Sequence, residues 1–218
     1  MKRWIALGTR FAFAAGLLIA AAIAQAQLVV TSPVNGDFLG RNNQIRFNIT
    51  GASKQARVVA TATNKANTAI SFQVEGKFDP NFDNKINGSL DLNFDEATPL
   101  GRYDIVVDHF QEGAKIQSVT VSDVNIDTRN PKMRNITPAN NAFVNRTVPI
   151  KATIEETNMD LWRVRVNDRD VPNNSGNSNQ INVLWDTSLV EKDDSQSVSI
   201  RVEDRAKNVA NRTISITL

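Results

Sequence analysis

The chain repeats itself once, at a spacing the size of a domain. Thr31-Ser32-Pro33-Val34-Asn35-Gly36-Asp37-Phe38-Leu39 returns 105 positions later as Ile136-Thr137-Pro138-Ala139-Asn140-Asn141-Ala142-Phe143-Val144. Pro33 matches Pro138, Asn35 matches Asn140 and Phe38 matches Phe143 without a gap. The same shift pairs Arg41 with Arg146, Ile45 with Ile150 and Ile49 with Ile154. Solenoid units repeat every 20–50 residues, whereas about a hundred residues is a whole folding unit. The chain therefore reads as one small domain used twice.

Apolar residues recur with period two, the mark of strands buried on one face. Gln44–Ile49, Ser71–Glu75, Ser89–Phe94, Arg102–Val107 and Ile116–Val124 alternate in the first half. Leu161–Val166, Gln180–Trp185, Ser197–Val202 and Thr213–Leu218 do so in the second. Turn signals separate them at Asn35-Gly36, Asn64–Thr68, Asp79-Pro80, Pro99–Gly101 and Asn173–Gly176. No segment beyond the N-terminal leader keeps a 3.6-residue period over three turns. About seven short strands per hundred residues, with frequent turns, is the pattern of a β-sandwich. A closed barrel is the competing all-β architecture, and the single inward stripe per strand favours the sandwich. Pro131 cannot donate to a sheet and closes the segment Ile126–Pro131. The expected division is a leader at 1–26, a first domain at 27–126, a linker at 127–130 and a second domain at 131–218. So short a linker sets the domains end to end with limited hinging.

Residues 1–26 read as a secretory signal peptide. Lys2, Arg3 and Arg10 supply positive charge, Phe11–Ile23 is uncharged and apolar, and Ala24-Gln25-Ala26 is a small-x-small cleavage site. The apolar run is too short to span a bilayer. No membrane span is expected after cleavage. The full chain has 25 basic and 23 acidic residues; without the leader 22 basic face 23 acidic, a net of −1. The basic pI thus belongs to the precursor, and no nucleic-acid partner is implied. There is no cysteine. That excludes lipid attachment at a cysteine, thiol nucleophiles, thiolate zinc sites and iron–sulfur clusters, and leaves the cores to hold each domain.

Four motifs in order give the chain a family likeness. Each domain opens with Ser/Thr-Pro-x-Asn-x-x-Phe, at Ser32–Phe38 and Thr137–Phe143. A junction runs Val124–Pro131, with Asp127-Thr128 at its centre. Thr98-Pro99-Leu100-Gly101-Arg102-Tyr103 leads into a late strand, and Val202–Asn208 forms a turn before the last one. Together they resemble tandem bacterial immunoglobulin-like domains of secreted and surface proteins, over essentially all of residues 28–218. The resemblance implies an all-β chain of two tandem immunoglobulin-like β-sandwich domains with adhesion, spacing or recognition roles. Lys207 stands where that family usually has glycine, and the second domain has no tyrosine matching Tyr103.

Enzyme chemistry finds little footing. The only histidine, His109, falls in what reads as a solvent-exposed hairpin turn, Val107–Gly113. Gly-x-Ser-x-Gly, phosphate-loop and His-Glu-x-x-His patterns are absent from the sequence. The carboxylate pairs Glu155-Glu156 and Asp193-Asp194 read as solvated loop charge. Asp79, Asn81 and Asp83 alternate as the first donors of a calcium loop do, but Asn84 and Leu90 stand where such a loop needs Gly and Glu. A turn satisfying its own backbone is the stronger reading there, with calcium the alternative. No other cofactor is implied. Trp162 and Trp185 share parity with core valines, and Arg163 and Arg165 face outward. The expectation is an exported, non-enzymatic structural or recognition protein of the bacterial envelope or exterior. It would be secreted, at the cell surface or in the periplasm, and would contact an envelope protein or polysaccharide. A carbohydrate-binding module is the alternative.

Overall fold

A computed structural model describes residues 26–188, 190 and 195–218. The signal-peptide reading up to residue 25 and the pair Asp193-Asp194 lie outside the described residues. Sixteen strands occur among the described residues. They are β1 (Gln27–Ser32), β2 (Phe38–Leu39), β3 (Asn42–Thr50), β4 (Ala56–Asn64), β5 (Ser71–Phe78), β6 (Lys85–Asn93), β7 (Gly101–Gln111) and β8 (Ala114–Ile126), then β9 (Lys132–Thr137), β10 (Ala142–Phe143), β11 (Thr147–Glu155), β12 (Met159–Val166), β13 (Arg169–Gly176), β14 (Gln180–Asp186), β15 (Ser195–Asp204) and β16 (Val209–Thr217).

The first eight strands form sheets β1-β3-β6 and β2-β8-β7-β4-β5, and the last eight form β9-β11-β14 and β10-β16-β15-β12-β13. The two orders are identical once β9 is set against β1. In each half the opening strand changes sheets: its first part pairs antiparallel with β3 or β11, its second part parallel with β8 or β16. That strand order makes each half an immunoglobulin-like sandwich, so the chain is all-β, two such sandwiches in tandem.

The repeated motif has one job in both halves. Asn35 Oδ1 accepts the Ser122 amide at 2.8 Å, and Asn140 Oδ1 accepts the Ser215 amide at 2.9 Å. Each asparagine thereby ties the crossing between sheets to the last strand. Pro33 and Pro138 are buried beneath the crossing. Phe38 then pairs with Asn125, and Phe143 with Thr217.

Alternation places one face of each strand in a core. Ile45, Phe47 and Ile49 of β3 meet Val58, Ala60 and Ala62 of β4 and Tyr103, Ile105 and Val107 of β7. In the second sandwich Trp162 and Trp185 point inward with Val164, Val183 and Ile200. The Trp162 ring lies over Gly176, where a Cβ would approach it to 2.6 Å. The segment Asn173–Gly176 is therefore not the turn its composition indicates. It belongs to edge strand β13, which bulges against β12, and Asn173 takes the left-handed conformation there (φ 54°).

Tyr103 is fully buried and donates its hydroxyl to the Pro99 carbonyl at 2.8 Å, tying the loop before β7 to the strand. Gln196 holds the matching place: Tyr103 pairs with Val124 and Gln196 with Ile216, each one residue before the partner of the repeated phenylalanine. Its side-chain oxygen accepts from Asn167 Nδ2 at 2.5 Å. Tyr103→Phe removes only the hydroxyl and is expected to cost about 1 kcal/mol. Chemical denaturation should show that loss in the unfolding of the first sandwich and none in the second.

His109 is not in a turn. Pairing of β7 with β8 continues to Gln111 and Ala114, so the reversal is the short Glu112-Gly113 step. His109 shares parity with Tyr103, Ile105 and Val107 and is fully buried.

Candidate functional site at the domain junction

Four segments meet where the sandwiches join. The first is Phe38–Arg41, leaving the sheet crossing. The second is the connector Asp127–Pro131. The other two come from the far side: the β11–β12 loop at Glu156–Asn158 and the β15–β16 turn at Asp204–Asn208. The turn is closed by its own aspartate. Asp204 Oδ1 accepts the Asn208 amide at 2.9 Å, and Oδ2 accepts Asn208 Nδ2 at 2.8 Å. Lys207 sits in the left-handed region (φ 67°), the position where a glycine was expected, with its amine held by Asp160 and Glu203.

Asn208 links the two halves, since its Nδ2 also donates to the Asp127 carbonyl at 2.7 Å. Asn158 Nδ2 reaches Asp127 Oδ2 at 3.2 Å. On the first sandwich, the Asp127 amide donates to Leu39 O at 2.9 Å, and Arg41 Nε donates to Thr128 O at 3.0 Å. The Arg205 guanidinium lies 4.2 Å from the centre of the Phe38 ring. Gly40 approaches so closely that a Cβ there would sit 2.5 Å from the Ala206 carbonyl oxygen. These contacts fix the connector against both sandwiches, as its brevity implies.

The junction also gathers three carboxylates. Asp127, Glu156 and Asp204 each place an oxygen within 4.8 Å of the others. Asp204 is fully buried and Asp127 nearly so (5 % exposed). No ion pair reaches any of the three among the described residues. Burial pushes the Asp204 carboxyl above its ordinary range, the neighbouring Asp127 and Glu156 charges push it further, and its bonds from Asn208 pull it back. The donors are all hard oxygens, the set that suits Ca²⁺ or Mg²⁺. Turning the Asn158 amide over would present a further oxygen.

The residues the sequence singled out for calcium lie elsewhere, in the β5–β6 loop. There Asn81 Oδ1 accepts the amides of Asp83 and Lys85 at 3.0 and 2.8 Å, and Asp79 Oδ1 accepts Gln55 Nε2 at 3.0 Å. Asn81 thus spends its oxygen on the loop's own backbone. Phe82 at the tip projects fully into solvent. On the second sandwich Arg163 and Arg165 face outward and share Asp170, which holds the Asp170 carboxyl below its usual range, the Arg163 hydrogen bond first. Glu155 lies on exposed strand surface and pairs with Arg134. Its neighbour Glu156, read as loop charge, turns into the junction.

No protein-family profile matches the chain, and no curated protein sequence matches it. Solved structures do resemble it. The fibronectin(III)-like modules of Clostridium thermocellum CbhA align at a TM-score of 0.45 and 15 % identity, over 88 % of this chain and 94 % of theirs. The chicken CNTN1 FN1–FN3 domains align at 0.39 and 11 %, over 85 % and 69 %. A Ca²⁺-stabilized adhesin with which an Antarctic bacterium binds ice aligns at 0.37 and 15 %, over 88 % and 48 %. The class of this chain rests on its own strand order.

Proposed function

We propose that this chain is an exported, non-enzymatic contact module of the bacterial envelope or exterior, a rigid pair of immunoglobulin-like domains serving adhesion or assembly. The observation that carries the reading is the junction. Asn208, Asp127, Gly40 and the Arg205–Phe38 contact make a fixed rod of two sandwiches rather than two domains on a tether. A rod holds loops and sheet faces at a set distance, which is what a contact module needs. The only histidine is sealed in a core, and neither of its ring nitrogens has a hydrogen-bond partner among the described residues, so no nucleophile is bonded to it for activation. Among the described residues no helix is long and apolar enough to cross a membrane, and the leader supports export.

The test is co-sedimentation of residues 27–218 with envelope and polysaccharide preparations. Saturable pelleting is expected, and its absence from both would sink the reading. Polysaccharide binding is the second reading, favoured by the protruding Phe82 ring as a stacking surface. Under it, Phe82→Ala abolishes pelleting with polysaccharide and leaves pelleting with envelope protein intact.

In the same proposal, Asp127, Glu156 and Asp204 hold a divalent cation that stiffens the rod. Calcium is expected to raise the melting temperature, because an ion bound only by the native state adds its binding free energy to stability. Asp204→Asn should abolish that response. An unchanged melting curve with and without chelator would refute cation binding while leaving the contact-module reading standing.

A further inference from the structure

The internal repeat shows how one end of an immunoglobulin-like domain is covered in this molecule, and among the described residues leaves the matching end bare. Phe38 and Phe143 hold the same position in the repeat, each on the short strand that pairs parallel with the last strand of its sandwich. Phe38 lies under Arg205, delivered by the β15–β16 turn of the next sandwich. Phe143 is 86 % exposed, and no residue covers its ring among the described ones. Arg146, three positions on, matches Arg41 in the repeat. Arg41 is engaged with Thr128 O and Glu96, whereas Arg146 is exposed and forms no ion pair among the described residues.

Among the described residues, the other half of such a contact is free at the opposite end of the molecule. By strand order, the Gly51–Gln55 loop and the Glu112-Gly113 turn of the first sandwich correspond to the loop and turn that cover Phe38. They carry one charged pair, Lys54 with Glu112, whose side chains are 59 % and 69 % exposed. Among the described residues, one molecule thus shows an uncovered aromatic end beside an arginine without an ion pair, and an uncovered loop and turn bearing a lysine and a glutamate. The surfaces differ and lie at opposite ends, so copies joining through them form an open, head-to-tail arrangement rather than a closed dimer.

We propose that residues 27–218 associate head to tail, with the Phe143 end of one copy seated on the Lys54–Glu112 end of the next. The Lys54 ammonium lies over the Phe143 ring, as Arg205 lies over Phe38, and Glu112 meets Arg146. The contact adds to the contact-module reading and stands without the cation at the junction.

Sedimentation velocity over rising concentration, with small-angle scattering, tests it. The expected result is mass increasing with concentration and a longest dimension growing by whole molecular lengths. Phe143→Ser and Lys54→Glu, both at exposed positions, should leave the melting temperature unchanged and each weaken association about tenfold or more. The decisive arm mixes the two variants. Each has one intact end, so the mixture should rebuild a single junction and stop at a dimer. A chain that stays monomeric at every concentration, oligomers indifferent to Phe143→Ser, or dimers no longer than one molecule would each overturn the proposal.

Discussion

Gly40→Ala is expected to loosen the two sandwiches from each other while each stays folded. The new methyl group would lie 2.5 Å from the Ala206 carbonyl oxygen and 3.3 Å from Asn208 Oδ1. The near atom is backbone, so no side-chain rotation relieves it. The turn from Asp204 to Asn208 must retreat, and its retreat drags Asn208 from Asp127 and Arg205 from Phe38. Overpacking of this kind costs about 1–3 kcal/mol, and here the cost falls on the junction rather than on a core. The readouts are a larger radius of gyration by small-angle scattering and faster proteolysis within Asp127–Pro131. The melting of each sandwich should change far less. Gly40→Ala with unaltered scattering would show that the sandwiches do not hold this register in solution.

How much of this was legible in the sequence depended on what each feature rests on. Strands such as β3 and β15 alternate because one face meets a core and the other meets water, so their pattern survives in a linear string. β4 is a central strand, yet its small residues, Ala56, Ala60, Ala62 and intervening threonines, give a hydrophobic signal too weak to mark a strand. Asn173–Gly176 has turn composition yet belongs to β13; an edge strand with a bulge tolerates those residues, and Gly176 is needed under Trp162. His109 sits in a polar run that resembles a loop, but hairpin pairing decided its place. The junction was half visible. Asp127 and the Asp204–Asn208 turn stood out within motifs, and Glu156 within a charged pair. That they converge depends on the angle between two sandwiches, which no local pattern encodes.

Acidification should destabilise the first sandwich through His109. Its ring is fully buried, and neither Nδ1 nor Nε2 has a hydrogen-bond partner. Burial alone pushes its pKa below the ordinary value of 6.5, because a charged imidazole in an apolar core has lost its water. The sign follows from linkage. As pH falls through 6.5 the unfolded chain takes up a proton that the folded core refuses, so stability drops until the pH reaches the depressed folded value. Above 6.5 both states are neutral, and His109 adds no slope. Asp204, with its raised carboxyl, acts in the opposite sense in the second sandwich, since protonating it on acidification relieves buried repulsion. Asp108 and Asp123, held below the ordinary carboxylate value of 3.8, act only in stronger acid. Burial pushes the Asp108 carboxyl up, but hydrogen bonds from Lys115 and Ser118 and the Lys115 charge pull it down further; Asp123 is lowered first by its hydrogen bond from Lys65. The window just below pH 6.5 therefore belongs to His109 in the first sandwich. His109→Leu keeps a similar volume and removes two unsatisfied buried nitrogens, so it should raise stability at neutral pH by about 1–3 kcal/mol. It should also flatten the first sandwich's melting temperature across that window. Melting curves at stepped pH for the native chain and His109→Leu decide the matter. If both lose stability equally between pH 7 and 5, the buried imidazole is not the acid-sensitive element.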